Sequence, residues 1–525
     1  MPLFNPQLDD EVVVDGSVPI SGINNSLPPS AIDRTYAEDA QNRLSQLDGL
    51  NRPRPGIVRL KQTAVGNLDS INHLGTGVFL ANYGPNWYKY DHRSVVLSTL
   101  SGGPALSPGA QVNATLANDT LYFSTGAGLN KYSVAAGFGT VPLGTNGPTA
   151  LYPIWACYRL IYAYQNTLIV SDELDPEHFD LATGSVTLDP VASDVITGQA
   201  YWQSQQLIAF RNGSTWVIQT GPDLTVPNWD VNRISATVGC RCHGTIVQTE
   251  TDVIFLSETG RGVYLVSQAP SSNQQGIWQP ASLDIQRYIN RINWAACDCA
   301  RATYWNDLYI LSVPLDGATY NNFCLIYSVS LSRWQGLWCF EIGNTDVGVR
   351  DFARDRTDPN YTVLLVATKE GMISRVTYPV ERQYYDQNLD SSRQYISSLL
   401  QSRSFTNMSL RAETYTVGED ITQVRPHSAR FQFLESDDPV VVTVLANRSS
   451  VLTRRTVDTT SYLLSLTIPG FPFDLDVEGY KNATLGLLGL GICTEFQFLL
   501  EGTGNWTLYQ IKTAAFPSMP LIATQ

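Results

Sequence analysis

The chain has 525 residues, 43% of them hydrophobic, enough to bury substantial cores in two to four domains or in one large repeat fold with an appendage. Only 16% are charged, whereas 39 glycines, 28 prolines, 26 tyrosines and 11 tryptophans mark an aromatic, turn-rich β protein. With 34 basic against 48 acidic residues the net charge is −14, and such a surface repels nucleic acid, so sequence-specific DNA or RNA binding is not expected.

Residues 1–16 lack a basic segment followed by an apolar run, so no secretory signal is expected. No run of 18 or more apolar residues occurs, and a soluble chain without membrane insertion is expected. Eight cysteines without an export signal point to reduced thiols.

Residues 1–60 lack strand repeats and read as an extended arm. Within it, Ala37, Ala40, Leu44 and Leu47 stand at helical spacing and predict a short helix over 36–47, followed by the stiff turn Arg52-Pro53-Arg54-Pro55-Gly56. From 61 to 380 the pattern changes to short apolar strands centred on Phe79, Tyr122, Leu168, Leu207, Ile254, Tyr309 and Leu364, about 40 to 55 residues apart, the period of radially stacked four-stranded blades. The stretch Tyr158–Gln219 shows the unit most clearly: two groups of alternating strands broken by turns such as Gln165-Asn166 and Asn212-Gly213, neither able to bury a core alone. Spacing allows six or seven blades. Beyond residue 380 a helix is predicted near Tyr395–Leu400, and then period-two strands such as 411–419, 462–470 and 494–516 predict a β-sandwich-like domain over 381–525. The fold class read from the sequence is therefore all-β: a six- or seven-bladed β-propeller with an N-terminal extended arm and a C-terminal β-sandwich-like domain.

Several groups invite a chemical reading. Asp172, Glu173, Asp175, Glu177 and Asp180 supply paired carboxylates of the kind glycoside hydrolysis uses, but all five fall in one loop beside Pro176, where solvated turn residues are expected. Ser257-Glu258-Thr259-Gly260 only loosely resembles a sialidase Asp-box. Cys240 and Cys242, with His243, and Cys297 and Cys299 stand at i, i+2, which on two adjacent strands would place four thiolates on one face for zinc; buried structural cysteines are the plainer expectation. His73, His92, His178, His243 and His427 are scattered. Trp87, Trp202, Trp278, Trp334 and Trp338 fit blade packing or subunit contact better than sugar stacking. No phosphate-binding loop or nucleophile elbow occurs, and the glycines from Gly486 onward have no helix behind them. No catalytic residue, cofactor or metal is expected.

The order of GINNSLPP (22–29), AEDAQNRLSQLDGL (37–50) and RPRPGI (52–57) resembles the opening of tail nozzle and hub proteins of short-tailed bacteriophages. LIVSDELDPEHFD (168–180), LIAFRNGSTWVIQTG (207–221) and RCHGTIVQTETDVIFLSETGRGVYLVS (241–267) are similar to that family's propeller, and together these stretches cover about half of the chain. The resemblance implies a structural, non-enzymatic virion protein made in the host cytoplasm. It implies a homohexameric ring below the portal adaptor, through which double-stranded DNA passes without sequence-specific binding, and which carries fibres, tailspikes or a tail needle. On that reading Asn24, Arg34, Arg43, Arg52 and Arg54 of the arm meet the adaptor or a neighbouring subunit, and removing residues 1–56 leaves a folded monomer that no longer assembles. The alternative from a different class is a carbohydrate-binding or carbohydrate-hydrolysing propeller.

Overall fold

A computed structural model describes residues 13–518, apart from 18–20, 46–50, 127, 144–148, 190–193, 204, 221–224, 270–276, 343–344, 347, 356–361, 379–384, 403, 407–422, 435–438, 448–449, 458–479, 488–492, 494 and 505. Almost all regular structure is β, and the one α-helix among the described residues is Gln286–Arg291. No described helix is long and apolar enough to cross a membrane.

Seven antiparallel sheets make a propeller. Blades 1 to 4 are four-stranded meanders over residues 70–100, 113–140, 151–187 and 196–235, blade 5 shows three strands over 247–265, and blade 6 has four over 301–338. Blade 7 combines three strands of 349–376 with Ile57–Gln62, which pairs antiparallel with Met372–Val376. An early strand thus completes the last blade. The ring is closed: each innermost strand touches the innermost strand of the next blade, and Val349–Asp355 of blade 7 touches Ser70–Gly75 of blade 1. The seven strand centres of the sequence fall one to a blade, which fixes the count at seven.

Apolar layers between neighbouring blades hold the disc together. Leu80, Trp87, Leu121 and Phe123 fill the space between blades 1 and 2, while Trp305, Ile310, Trp338, Leu364 and Val366 fill that between blades 6 and 7. Trp87, Trp278, Trp334 and Trp338 are all buried in such layers, with rings such as Trp87 and Phe123 at 5.2 Å between centroids, the offset contact that aromatic quadrupoles favour.

The C-terminal region is a two-sheet sandwich. One sheet contains Gln423–Leu434, Tyr480–Gly486 and Thr507–Ser518; the other contains Ser397–Gln401, Glu495–Thr503, Val440–Ala446 and Ser450–Val457. Phe431 and Phe433 of the first face Phe496, Phe498 and Leu500 of the second, with Phe431 and Phe498 edge to face at 5.2 Å. The expected domain boundary near 380, the strands at 411–419 and 462–470, and most of the glycine run after Gly486 lie outside the described residues.

The arm departs most from expectation. Over 36–47 the chain forms strands, Asp39–Gln41 and Arg43–Ser45, in place of a helix, and Ser397–Gln401 is likewise a strand. Asp39–Gln41 lies between blade 6 and the sandwich, parallel to Arg333–Trp338 on one side and antiparallel to Ser397–Gln401 on the other, so one ten-stranded sheet runs from blade 6 into the sandwich. Helical spacing of four alanine and leucine residues is worth only tenths of a kcal/mol each; two open sheet edges that must satisfy their backbone groups outweigh it. Gly22 shows how tightly the arm is seated: its φ is +94°, and a Cβ there would stand 2.0 Å from the Trp334 carbonyl oxygen.

Two arginines lock the arm. Arg54, 1% exposed, forms a two-pronged pair with Asp386 at 3.0 and 2.7 Å and donates from Nε to Asn42 Oδ1 and the Cys339 carbonyl. Arg43, fully buried, lies 3.8 Å over the Trp506 ring and donates to Asn51 Oδ1 and the Trp506 carbonyl. The described residues 21–45 and 51–56 are therefore packed into the folded body, so their removal is expected to disrupt the monomer, against the expectation of an intact one. Asp386→Ala would strand a buried guanidinium and is expected to lower stability by about 3–5 kcal/mol, read from the urea midpoint; a loss below about 1 kcal/mol, as for an exposed pair, contradicts this placement.

Candidate functional site at the mouth of the propeller

The residues expected to meet a partner divide by burial. Arg43 and Arg54 are enclosed and spent on contacts within the chain, which corrects their assignment to an outer interface. Asn24 donates to Asp284 at 3.1 Å, Arg52 is half-buried beside Pro53, and Arg34 is exposed.

The acidic loop of blade 3 is a self-contained turn. Asp172 accepts from His178 at 2.7 Å, Glu177 pairs with Lys131 at 2.6 Å, Glu173 faces Arg159 at 3.5 Å, and Asp180 accepts from the Ala182 amide and the Thr183 hydroxyl. Those hydrogen bonds, Thr183 first, hold the Asp180 carboxyl below its ordinary range. Each carboxylate has a local use, and the group stands away from the axis.

The cysteine pairs sit in loops and a 3-10 turn (Trp294–Cys299), not on strand faces, so the geometry that would present four thiolates to zinc is not built. Cys242 donates to the Cys297 carbonyl at 2.9 Å, and Cys299 to Asn321 Oδ1 at 3.2 Å. Burial raises the Cys240 thiol; for Cys297 the contact with Cys242 comes first and burial second. Among the described residues no three or more His, Cys, Asp or Glu side chains group as a metal site. The turn Ser257–Gly260 is closed by the Gly260 amide on Ser257 Oγ, and its Glu258 pairs with Arg241.

What does converge is the set of residues at the first ends of the innermost strands. These strands occupy the same place in every blade, so their leading residues crowd one mouth of the axis. Three of them open with a β-bulge, at Tyr152, Thr197 and Arg350, and a bulge re-aims the side chain it carries. Tyr152, with φ +52°, turns its ring onto His243, 4.6 Å between centroids, and its carbonyl accepts from Gln199. His243 keeps part of its surface open, but its Nδ1 is enclosed with no partner, and burial holds the imidazole down to about 3, with Arg301 pushing the same way.

Arg301 is the centre of the group. It opens the inner strand of blade 6, is 8% exposed, and packs so closely on Gly244 that a Cβ there would stand 2.0 Å from its Nη1. Its only hydrogen bond among the described residues is to the carbonyl of Ala300, and its nearest carboxylate, Asp351, is 3.9 Å from Nε. Asp351 accepts from the Ile71 and Phe352 amides at 2.9 Å each; burial pushes its carboxyl up to about 6 against the pull of Arg301. Arg350 leads the inner strand of blade 7, beside Val349, whose carbonyl accepts from Asn321, the residue that also accepts from Cys299. Arg301 and Arg350 both temper the upward push that burial gives the Cys299 thiol. At the rim, Arg241 is held by Glu258 and Asp298 at 3.1 and 2.8 Å.

Sequence reasoning named His243 and Cys299 but for metal, and missed Tyr152, Arg301 and Arg350. The proline at 153 inside a strand is the one signal of a bulge beside Tyr152.

No family model matches the chain, and no curated protein matches it. Among solved structures it is similar to the WD40 β-propeller domain of Doa1, at 8% identity and TM-score 0.40 over 62% of this chain and 97% of that one. It is also similar to a catalytically inactive virginiamycin B lyase from Staphylococcus aureus with quinupristin, at 10% identity and TM-score 0.40 over 61% and 98%. The chain is a β-propeller protein, and these likenesses reach no further than the fold.

His243 also gives a pH signature. Its folded pKa lies below the unfolded value of about 6.5, so the unfolded chain takes up a proton first, and the stability it contributes is whole above that value and lost as pH falls toward 3. Between pH 7 and 5 the wild type is expected to lose about 2 kcal/mol more than His243→Gln, read from urea midpoints; equal losses contradict a neutral, enclosed imidazole.

Proposed function

We propose that this chain is a structural subunit of the tail of a short-tailed bacteriophage, a nozzle or hub that closes with copies of itself into a ring, six-fold as in the resembled family. The ring sits beneath the adaptor, seats fibres, tailspikes or a tail needle, and gates the passage of double-stranded DNA. The observation that carries the reading is the ten-stranded sheet that joins blade 6, the arm and the sandwich into one body. Such a body transmits force between its two ends without a hinge, as the wall of a conduit must.

Two further features support it. Tyr158 and Leu174 are each 65% exposed and adjacent, with the Leu174 amide on the Tyr158 carbonyl at 2.8 Å, a surface suited to a protein neighbour. The net charge of −14 lets a polyanion slide past without adhering. Among the described residues the carbohydrate-active alternative finds its candidate carboxylates committed: Asp351 accepts from the Ile71 and Phe352 amides, Asp355 pairs with His73, and the blade 3 acids are engaged locally.

Mass spectrometry of purified particles is the test. The chain is expected in multiple copies in the tail fraction left after heads and fibres are released. Its absence from particles, or polysaccharide cleavage that one Asp or Glu change abolishes, would overturn the proposal.

A further inference from the structure

Arg301 is a largely buried cation whose one hydrogen bond among the described residues goes to the Ala300 carbonyl, and its other donors are not enclosed but open on the mouth, where a guanidinium so placed favours an anionic counterpart. Asp351 lies nearby, yet at 3.9 Å from Nε it makes no hydrogen bond to it, and its own oxygens are committed to the Ile71 and Phe352 amides. The surroundings are built for a small occupant. Tyr152, His243, Cys299, Arg350 and Asp351 each keep part of their surface open around the guanidinium. The Tyr152 phenol makes no hydrogen bond among the described residues, and the Arg301 guanidinium lies where a side chain at Gly244 would collide with it.

We propose that the mouth of the propeller binds a small oxyanion of the phosphate class on Arg301, with Arg350 and the Tyr152 hydroxyl as its further donors. The Arg301 and Arg350 guanidiniums both act on the Cys299 thiol while Asp351 stands beside Arg301 alone, so the inner site carries a positive excess inside an acidic protein; the outer charges Arg241, Glu258 and Asp298 satisfy one another at the rim. A planar guanidinium that presents paired donors matches the oxygens of such an anion. The neutral His243 ring walls the site without competing for the charge. The bulges at Tyr152 and Arg350 are what bring donors from blades 3 and 7 to the same mouth as Arg301 of blade 6. This inference concerns the propeller mouth and stands independently of the ring reading.

Inorganic phosphate and sulfate, each titrated against chloride at matched ionic strength, test it by calorimetry and by melting temperature. Saturable binding at one site per chain is expected in the wild type, at least tenfold weaker in Arg350→Gln and in Tyr152→Phe, and abolished in Arg301→Met. If Arg301→Met fails to fold, the two half-buried variants still decide the matter. Absence of any shift beyond that of chloride overturns the proposal, as does equal binding by wild type, Arg350→Gln and Tyr152→Phe, which places the anion elsewhere. Competition by a short single-stranded oligonucleotide overturns the assignment to a free ion in favour of a nucleic-acid phosphate; none is expected past the Asp298 and Glu258 rim.

Discussion

The Arg54 guanidinium is the point on which the architecture turns. A charge buried this deeply is tolerable only if every donor is met, and its partners come from three places: Asn42 and Pro55 of the arm, Cys339 after blade 6, and Asp386 leading into the sandwich. Asp386 in turn accepts from the Ile57 amide, the first residue of the strand that closes blade 7. One hydrogen-bonded knot therefore sets the arm's path, the closure of the disc and the approach of the sandwich together.

Asn42 shows how local chemistry serves that knot. Its φ is +55°, a region asparagine tolerates better than most side chains, and this turns the chain between two short strands while its amide reaches Ser397 and its carbonyl oxygen accepts from Arg54 and the Cys339 amide. Strands of three residues survive here because sheets on both sides satisfy them. The closed disc follows a different logic, in which apolar layers repeat around a ring and no blade is stable without its neighbours.

The repeat was legible in the letters because each blade's second or third strand is a dense apolar run, from Phe79 to Leu364, and runs of that kind dictate burial wherever they stand. Only the blade number escaped, since blade 7 borrows Ile57–Gln62 from the far end of the chain. The arm was misread for a related reason. Arg43 and Arg54 look like surface cations, as most arginines are, and Asp386, which makes Arg54 a buried residue, lies 332 positions away. Tyr395–Leu400 alternates exposed and buried residues once folded, but serines at two of those positions hide the period-two pattern. The mouth was least legible of all: bulges at Tyr152 and Arg350 re-aim side chains that strict alternation would point elsewhere.

A propeller mouth narrowed by Tyr152, His243 and Arg301 is too tight for a duplex along its own axis, so a conduit built from this chain has to run between copies. Electron cryomicroscopy of the purified protein at assembly concentration reads this directly. The account predicts closed rings in which each copy is a seven-lobed disc fused to a sandwich and the open lumen lies between copies. Monomers at every concentration, or an open channel through the centre of a single disc, would contradict it.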